Sequence, residues 1–253
     1  MQRESGRKDK EGLIVMTMRE KGCLALKSVL VVCLFNYFFY KELWAVPVLI
    51  PVGGFYYFLE RKRLLQEKRE EVKEQFKEMM LLATTGQKAG YSTENAFLSG
   101  YGDMKRLYGG QSTICRMLQR LKTGMENHTD FGKMWRQMGQ DVDIPEIEEF
   151  ARVYEVAYKS SGNMSAVMEK TAEIIIQKME TKKEIRVLLS AKVLEQKIMN
   201  AMPFLIMFYI NITSPGYFAD MYHTLWGAVI MSVFLCGYLA AYVLSYKIVS
   251  IEL

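Results

Sequence analysis

Four stretches of this chain carry no Asp, Glu, Lys or Arg: residues 28–40, 43–59, 198–219 and 221–246. They constrain the fold more than any motif does, because a helix of about 20 mostly apolar residues crosses about 30 Å of hydrocarbon. The last two reach that length at 22 and 26 residues, and 43–59 stands at the short limit with 17. Between the second and third lies a block, 60–197, with 24 of the 33 Lys and Arg and 21 of the 28 Asp and Glu. The predicted fold is all-α: N- and C-terminal transmembrane helical hairpins flanking a cytoplasmic helical bundle. Its predicted parts are a basic lead over 1–21, a hairpin over 22–59, a helical domain over 60–197, a second hairpin over 198–246 and a tail over 247–253.

The first run is short alone, but residues 22–26 extend it if Lys27 snorkels towards the headgroups. A cleaved signal peptide is the rival reading of this N-terminus. Bulky Phe38, Phe39 and Tyr40 stand where small cleavage-site residues belong, which favours a retained anchor. Orientation follows from the basic residues. Arg3, Arg7, Lys8, Lys10, Arg19, Lys21 and Lys27 precede or enter the first span, and Arg61, Lys62 and Arg63 follow the second. Lys192 and Lys197 precede the third span and Lys247 follows the fourth, while residues 214–224 hold none. In a four-span arrangement 32 of the 33 basic residues share one side, which the positive-inside tendency makes cytoplasmic. Both termini and the charged domain are expected there, at the plasma membrane.

The net charge of +5 is therefore read as a topology signal, and nucleic acid is not expected as a partner. Cys33 and Cys236 fall inside apolar runs and Cys23 at the edge of one, with Cys115 in the charged block. No pair has metal-ligand spacing, and a reducing cytoplasm disfavours disulfides. No phosphate loop, zinc-protease motif or nucleophile elbow is present. His128 and His223 fall on opposite sides of the expected membrane. The densest acidic run is Asp141, Asp143, Glu146, Glu148 and Glu149. Clustered carboxylates suit a hard cation, but helix capping and a solvated face account for these. No catalytic residue, cofactor or metal is expected, and the chain is read as a non-enzyme.

Within the block the apolar residues follow helical spacing. Leu65, Val72, Phe76, Met79, Met80 and Ala83 line one face of a helix over 61–88. Gly90 gives it a C-terminal stop and Ser92 caps the next helix. Gly124 is expected to end a helix over about 113–122, and Thr129-Asp130 to cap its successor. Asp143 is expected to cap a further helix that has Pro145 in its first turn, with Ile147, Phe150, Ala151, Tyr154 and Ala157 on its buried face. Gly162 ends that helix. A last long helix then carries Val167, Ile174, Ile175, Met179, Ile185, Leu188, Leu189 and Val193, with nothing to break it before the third span. Five to six helices are expected in all. The turns at Gly90 and Gly162 form a faint internal echo, of a kind common in helical chains.

Polar amides in hydrocarbon seek partners across helices, so Asn36, Asn200 and Asn211 are candidates for intramembrane packing or subunit contact. Pro47, Pro51, Gly53 and Gly54 in the second run mark either a kink, a close helix contact or ordinary membrane-helix usage.

Several short motifs share an order. Ala89-Gly90-Tyr91-Ser92 is followed by Ser161-Gly162-Asn163, then by Ala191-Lys192, Met202-Pro203, Ser214-Pro215-Gly216-Tyr217 and Leu225-Trp226-Gly227. In that order and topology, over roughly residues 75–250, the chain resembles the type II secretion F-domain family. A single F domain between membrane hairpins is similar to the tight-adherence (Tad) pilus branch, TadB- and TadC-like proteins. The resemblance implies an assembly platform of a type IV pilus or type II secretion system. Its implied partners are a hexameric secretion ATPase, a second F-domain platform protein or further copies of itself, pilin subunits and membrane lipid. On that reading Arg61, Lys62, Arg63, Lys68 and Arg69 are candidates for ATPase contact, and Asn200, Pro203 and Asn211 for subunit or pilin contact. The alternative is a membrane-anchored helical adaptor or signalling protein, disfavoured by the small size of the expected outer segments.

Overall fold

The computed structural model describes residues 13–14, 16–40, 46–160, 164–214, 216–217 and 224–251. The expected turn at Lys41-Glu42, the turn at Gly162 and Asn163, and Pro215 lie outside them. Nine helices and no strand occur among the described residues: α1 (Met18–Phe39), α2 (Val46–Lys88), α3 (Thr93–Ser99), α4 (Tyr101–Tyr108), α5 (Thr113–Glu126), α6 (Phe131–Val142), α7 (Pro145–Lys159), α8 (Met164–Thr213) and α9 (Leu225–Ile251). The chain is all-α.

The chain divides into two compact units, Met1–Thr17 with Lys62–Thr181, and Met18–Arg61 with Lys182–Leu253. Two helices contribute to both, since α2 continues from an apolar start into the charged block and α8 leaves the block for an apolar end. Among the described residues one helix, α1, is both long and apolar enough to cross a membrane, and Val229–Ser245 is a shorter apolar stretch.

The first unit is built on aromatic packing. Phe76 of α2, Phe97 of α3, Trp135 of α6 and Phe150 of α7 are fully buried, with ring centroids 5.2 Å apart for Phe97–Phe150 and 5.3 Å for Phe76–Trp135. The predicted faces of α2 and α7 are buried except at Leu65, which is half-buried: Val72, Phe76, Met79, Met80 and Ala83 on one, Ile147, Phe150, Ala151, Tyr154 and Ala157 on the other. The unit contains seven helical segments, one more than the upper expectation. The addition is α4, which buries only Met104 and so shows no apolar stripe in sequence.

The helix ends follow the expectations in part. Gly90 has φ +94°, a left-handed turn that favours glycine, and Tyr91 N–H reaches back to the Gly86 carbonyl at 3.1 Å. Ser92 caps α3 by accepting from Asn95 N–H, and Asp130 caps α6 by accepting from Lys133 N–H at 2.8 Å. Gly124, expected to end α5, lies inside it, and the helix stops at Asn127. The Met134 side chain lies over Gly124, where an added Cβ would come 2.2 Å from its Cε, so this glycine makes room and does not turn the chain. Asp143 also departs from its expected role. It ends α6 in a left-handed conformation (φ 56°), and Ile144 occupies the N-cap of α7 with Pro145 in the first turn.

The apolar residues that recur along the last helix divide between buried and exposed positions. Met168, Ala172, Ile175 and Met179 are buried, while Val167, Ile174, Ile185 and Leu188 are exposed. Adjacent apolar residues at 174 and 175 left the register open, and burial selects the second.

In the second unit Gly53 is a close-contact position. Ser28 Oγ of α1 donates to its carbonyl at 2.7 Å, and a Cβ there would come 2.6 Å from Val32 Cγ2. Phe35, Phe204 and Tyr238 stack edge-on, with centroids 5.3 Å apart for both Phe35–Phe204 and Phe204–Tyr238.

Candidate functional site

The feature of the first unit with the most charge organisation is the pairing of its two long helices. Lys88 Nζ of α2 lies 2.9 Å from Glu169 Oε1 of α8, and Lys77 Nζ lies 4.0 Å from Glu180 Oε1. Eleven residues forward on α2 correspond to eleven residues back on α8, so the helices run antiparallel in register over roughly 16 Å. Lys77 is well covered, and burial alone would lower its pKa. Its hydrogen bond to Glu74 and the charges of Glu74, Glu78 and Glu180 outweigh that, holding it above the usual lysine value.

The turn between α6 and α7 holds both long helices. Arg69 Nη2 of α2 is 2.9 Å from Asp143 Oδ2, and Lys73 Nζ is 4.0 Å from Glu146 Oε2. Lys178 Nζ of α8 is 2.6 Å from Glu149 Oε2. The acidic run that suggested a cation site is thus spread over cations of two helices, and no metal-binding cluster occurs among the described residues. Glu146 is only 1% exposed, so its carboxylate depends on its neighbours for charge compensation.

The turn is braced by close packing of α6 on α7. A Cβ on Gly132 would lie 2.6 Å from Glu155 Cγ, and one on Gly139 would lie 2.9 Å from Glu148 Cγ and 3.1 Å from the Glu148 backbone nitrogen. Two glycines seven residues apart sit on one face of α6 and let α7 approach. Arg136 Nη2 closes the same interface on Glu155 at 2.6 Å. Behind it Tyr154 donates its phenol hydrogen to Glu94 of α3, and burial together with that bond pushes its pKa far above the ordinary phenol value.

The five basic candidates of α2 fall into distinct settings. Arg61 and Lys62 are exposed, and Arg63 is exposed beside Glu67 at 3.1 Å. Arg69 is engaged by Asp143, and Lys68 lines a cavity beside Leu13 and Ile14. They do not form one surface patch of free charge.

The candidates from the apolar runs lie in the second unit. Tyr238 donates to the Asn200 backbone carbonyl at 3.0 Å, and Asn211 Nδ2 is 3.4 Å from Tyr37 Oη. Pro203 is exposed inside α8. Asn36 Oδ1 is buried without a hydrogen-bond partner among the described residues.

Sequence reasoning missed Leu13, Gln75 and Arg116. Gln75 is 2% exposed and accepts from the Ile114 N–H at 3.2 Å, satisfying one open donor of the α5 N-terminus. Its place on the apolar face of α2, one residue before Phe76, was the available signal. Comparison with protein-family models, curated proteins and solved structures gives no match.

Proposed function

We propose that this chain is a non-enzymatic assembly platform of a type IV pilus or type II secretion machine of the tight-adherence kind. On this reading the apolar runs form two membrane hairpins in the plasma membrane, with both termini and the helical unit on the cytoplasmic side. The helical unit receives motion from a hexameric secretion ATPase and passes it along α2 and α8 to the membrane segments, where pilin leaves the bilayer. A second F-domain protein or another copy of this chain completes the platform.

The observation that carries this reading is the antiparallel pair of long helices, tied by Lys77–Glu180 and Lys88–Glu169 and gripped by the α6–α7 turn. Both helices continue without interruption into apolar sequence. From Pro51 of α2 into the charged block, and from the block to Pro203 of α8, no proline interrupts the backbone hydrogen bonds, so each helix can carry displacement along that stretch. The sequence resemblance supplies the identity of the machine, and the excess of basic residues at the ends of the apolar runs supplies the orientation.

Arg61, Lys62 and Arg63 are the proposed ATPase contact, because their side chains are exposed where Lys68 and Arg69 are engaged within the unit. Reversing all three to Glu, with α5 and α6 untouched, should abolish ATPase capture and filament assembly. Retained capture with unchanged topology would remove this contact from the account.

A further inference from the structure

Within the second unit, Lys27 of α1 and Glu60 of α2 mark one end of the first hairpin. Lys27 Nζ lies 3.4 Å from Glu60 Oε1, and Arg61, Lys62 and Arg63 follow Glu60 directly in sequence. Burying that triplet in hydrocarbon is costly, so the ion pair stands at the headgroups. α1 is 22 residues long, but the pair sits well inside it. From Lys27 to Tyr40 the helical rise is about 20 Å, and from Glu60 back to Val46 about 21 Å. The hydrocarbon core is about 30 Å thick.

α9 runs antiparallel to α1 and serves as a ruler for the other end. Phe35 meets Tyr238 with ring centroids 5.9 Å apart, and Tyr40 Oη lies 2.7 Å from Ser232 Oγ. The same register sets Lys27 opposite residues 246–247, where the charge-free run of α9 ends at Lys247. Past Ser232, α9 continues for about 10 Å to Leu225 and carries Trp226 and Val229 exposed, whereas α1 stops at Phe39. The end of α1 is therefore level with the interior of α9. Polar groups meet it at that depth: besides Ser232, Asn211 Nδ2 of α8 lies 3.4 Å from Tyr37 Oη.

From this register we infer that the first hairpin is a lipid wedge, entering the bilayer at its charged ends and stopping short of the opposite headgroups. Its partner is the acyl-chain region of the leaflet it enters. Leu30 of α1 and Ile50 and Phe58 of α2 stand exposed along its flanks, apolar surface that lipid tails cover. A Cα-to-Cα step of about 3.8 Å keeps Lys41 within about 24 Å of the level of Lys27. The wedge thus spreads one leaflet and leaves the other to close over its tip. This inference rests on the membrane placement in the proposed function and refines the depth of one hairpin within it.

The test uses the full chain in phosphatidylcholine nanodiscs, which leave both faces open, with Cys23, Cys33 and Cys236 replaced by Ser and buried Cys115 kept. Single reporter thiols are placed by Lys41→Cys beyond the tip, Thr224→Cys before α9 and Leu30→Cys on the flank. Labelling by a membrane-impermeant maleimide is compared in short-chain (dimyristoleoyl) and long-chain (dierucoyl) lipid, read by mass spectrometry. A wedge labels readily at Lys41→Cys in the thin bilayer and at least tenfold more slowly in the thick one. Thr224→Cys should change less than twofold, and Leu30→Cys should stay silent in both. Equal labelling or equal slowing of Lys41→Cys and Thr224→Cys would put the tip level with the start of α9 and overturn the wedge. Silence of Lys41→Cys in both bilayers would mean that the turn is enclosed by protein, and would also overturn it. Labelling of Leu30→Cys in both would place the hairpin outside lipid, and that result alone withdraws the membrane placement as well.

Discussion

Lys88 on α2 and Glu169 on α8 meet at 2.9 Å, and the Lys77–Glu180 pair repeats the meeting eleven residues away in the opposite sense along the second helix. This fixes the two long helices antiparallel and in one register. Lys77→Glu should destabilise the unit, and adding Glu180→Lys should recover part of the loss. Partly exposed pairs couple by about 0.2–1 kcal/mol, which a double-mutant cycle in urea resolves only with repeated curves. Zero coupling would mean that the register rests on the apolar seam alone.

Gly139 is a sharper test of how the acidic turn is braced. Its missing Cβ would meet the Glu148 backbone nitrogen at 3.1 Å, and backbone cannot swing aside as a side-chain end can. Gly139→Leu should cost about 1–3 kcal/mol or more by overpacking. Gly102, with open space around it, serves as a control. Gly102→Ala should change stability by no more than about 0.5 kcal/mol.

Tyr154 predicts an alkaline limit to stability. Its folded pKa lies above the ordinary phenol value of 10.0, so above that pH the unfolded chain releases a proton that the folded chain keeps. Its contribution is therefore complete below pH 10 and is lost as the pH rises further. Tyr154→Phe should lower stability at neutral pH by about 1–3 kcal/mol, because Glu94 loses its donor. It should also flatten the dependence on pH above 10. An unchanged slope would place the titration elsewhere.

Trp135 is the centre of the aromatic core, with Phe76, Phe97, Phe131 and Phe150 around it. Trp135→Ala should cost about 3–5 kcal/mol. The loss is read as a lower thermal midpoint of the full chain's helical signal by circular dichroism, and an unchanged midpoint would remove Trp135 from the centre of the core.

What could be read in advance follows from which forces are local. The faces of α2 and α7 were legible because Val72, Phe76, Met79 and Ala83, and Phe150, Tyr154 and Ala157, recur at helical spacing and need one buried side. Ser92 and Asp130 were legible as caps because a side-chain oxygen and a nearby amide are neighbours in sequence. Asp143 was misplaced because the same residue type serves an N-cap or, as here, a left-handed helix end, where Ile144 N–H reaches back to the Gly139 carbonyl at 3.1 Å. The exposure of Ile185 and Leu188 on α8 beyond Met179 was not legible, because apolar spacing shows that a face seeks cover but not where the covering elements end. Leu13 was missed because Leu13-Ile14-Val15-Met16 is an apolar run too short to show a period, set in an otherwise polar lead.

The basic candidates of α2 show how the site was partly visible. Five Lys and Arg within nine residues suggested one contact surface. Charge counting could not foresee that Asp143 lies beside Arg69 or that Lys68 faces the groove holding Leu13. The remaining exposed triad is what the functional proposal uses.

In the proposed function this chain is the membrane platform between a cytoplasmic ATPase and a growing filament. The most direct measurement is in-membrane crosslinking of the tagged chain in its native host, followed by affinity capture and mass spectrometry. A platform should bring down a hexameric secretion ATPase together with pilin and a second F-domain protein. Recovery of a receptor or kinase instead, with no ATPase, would contradict it and favour the adaptor reading.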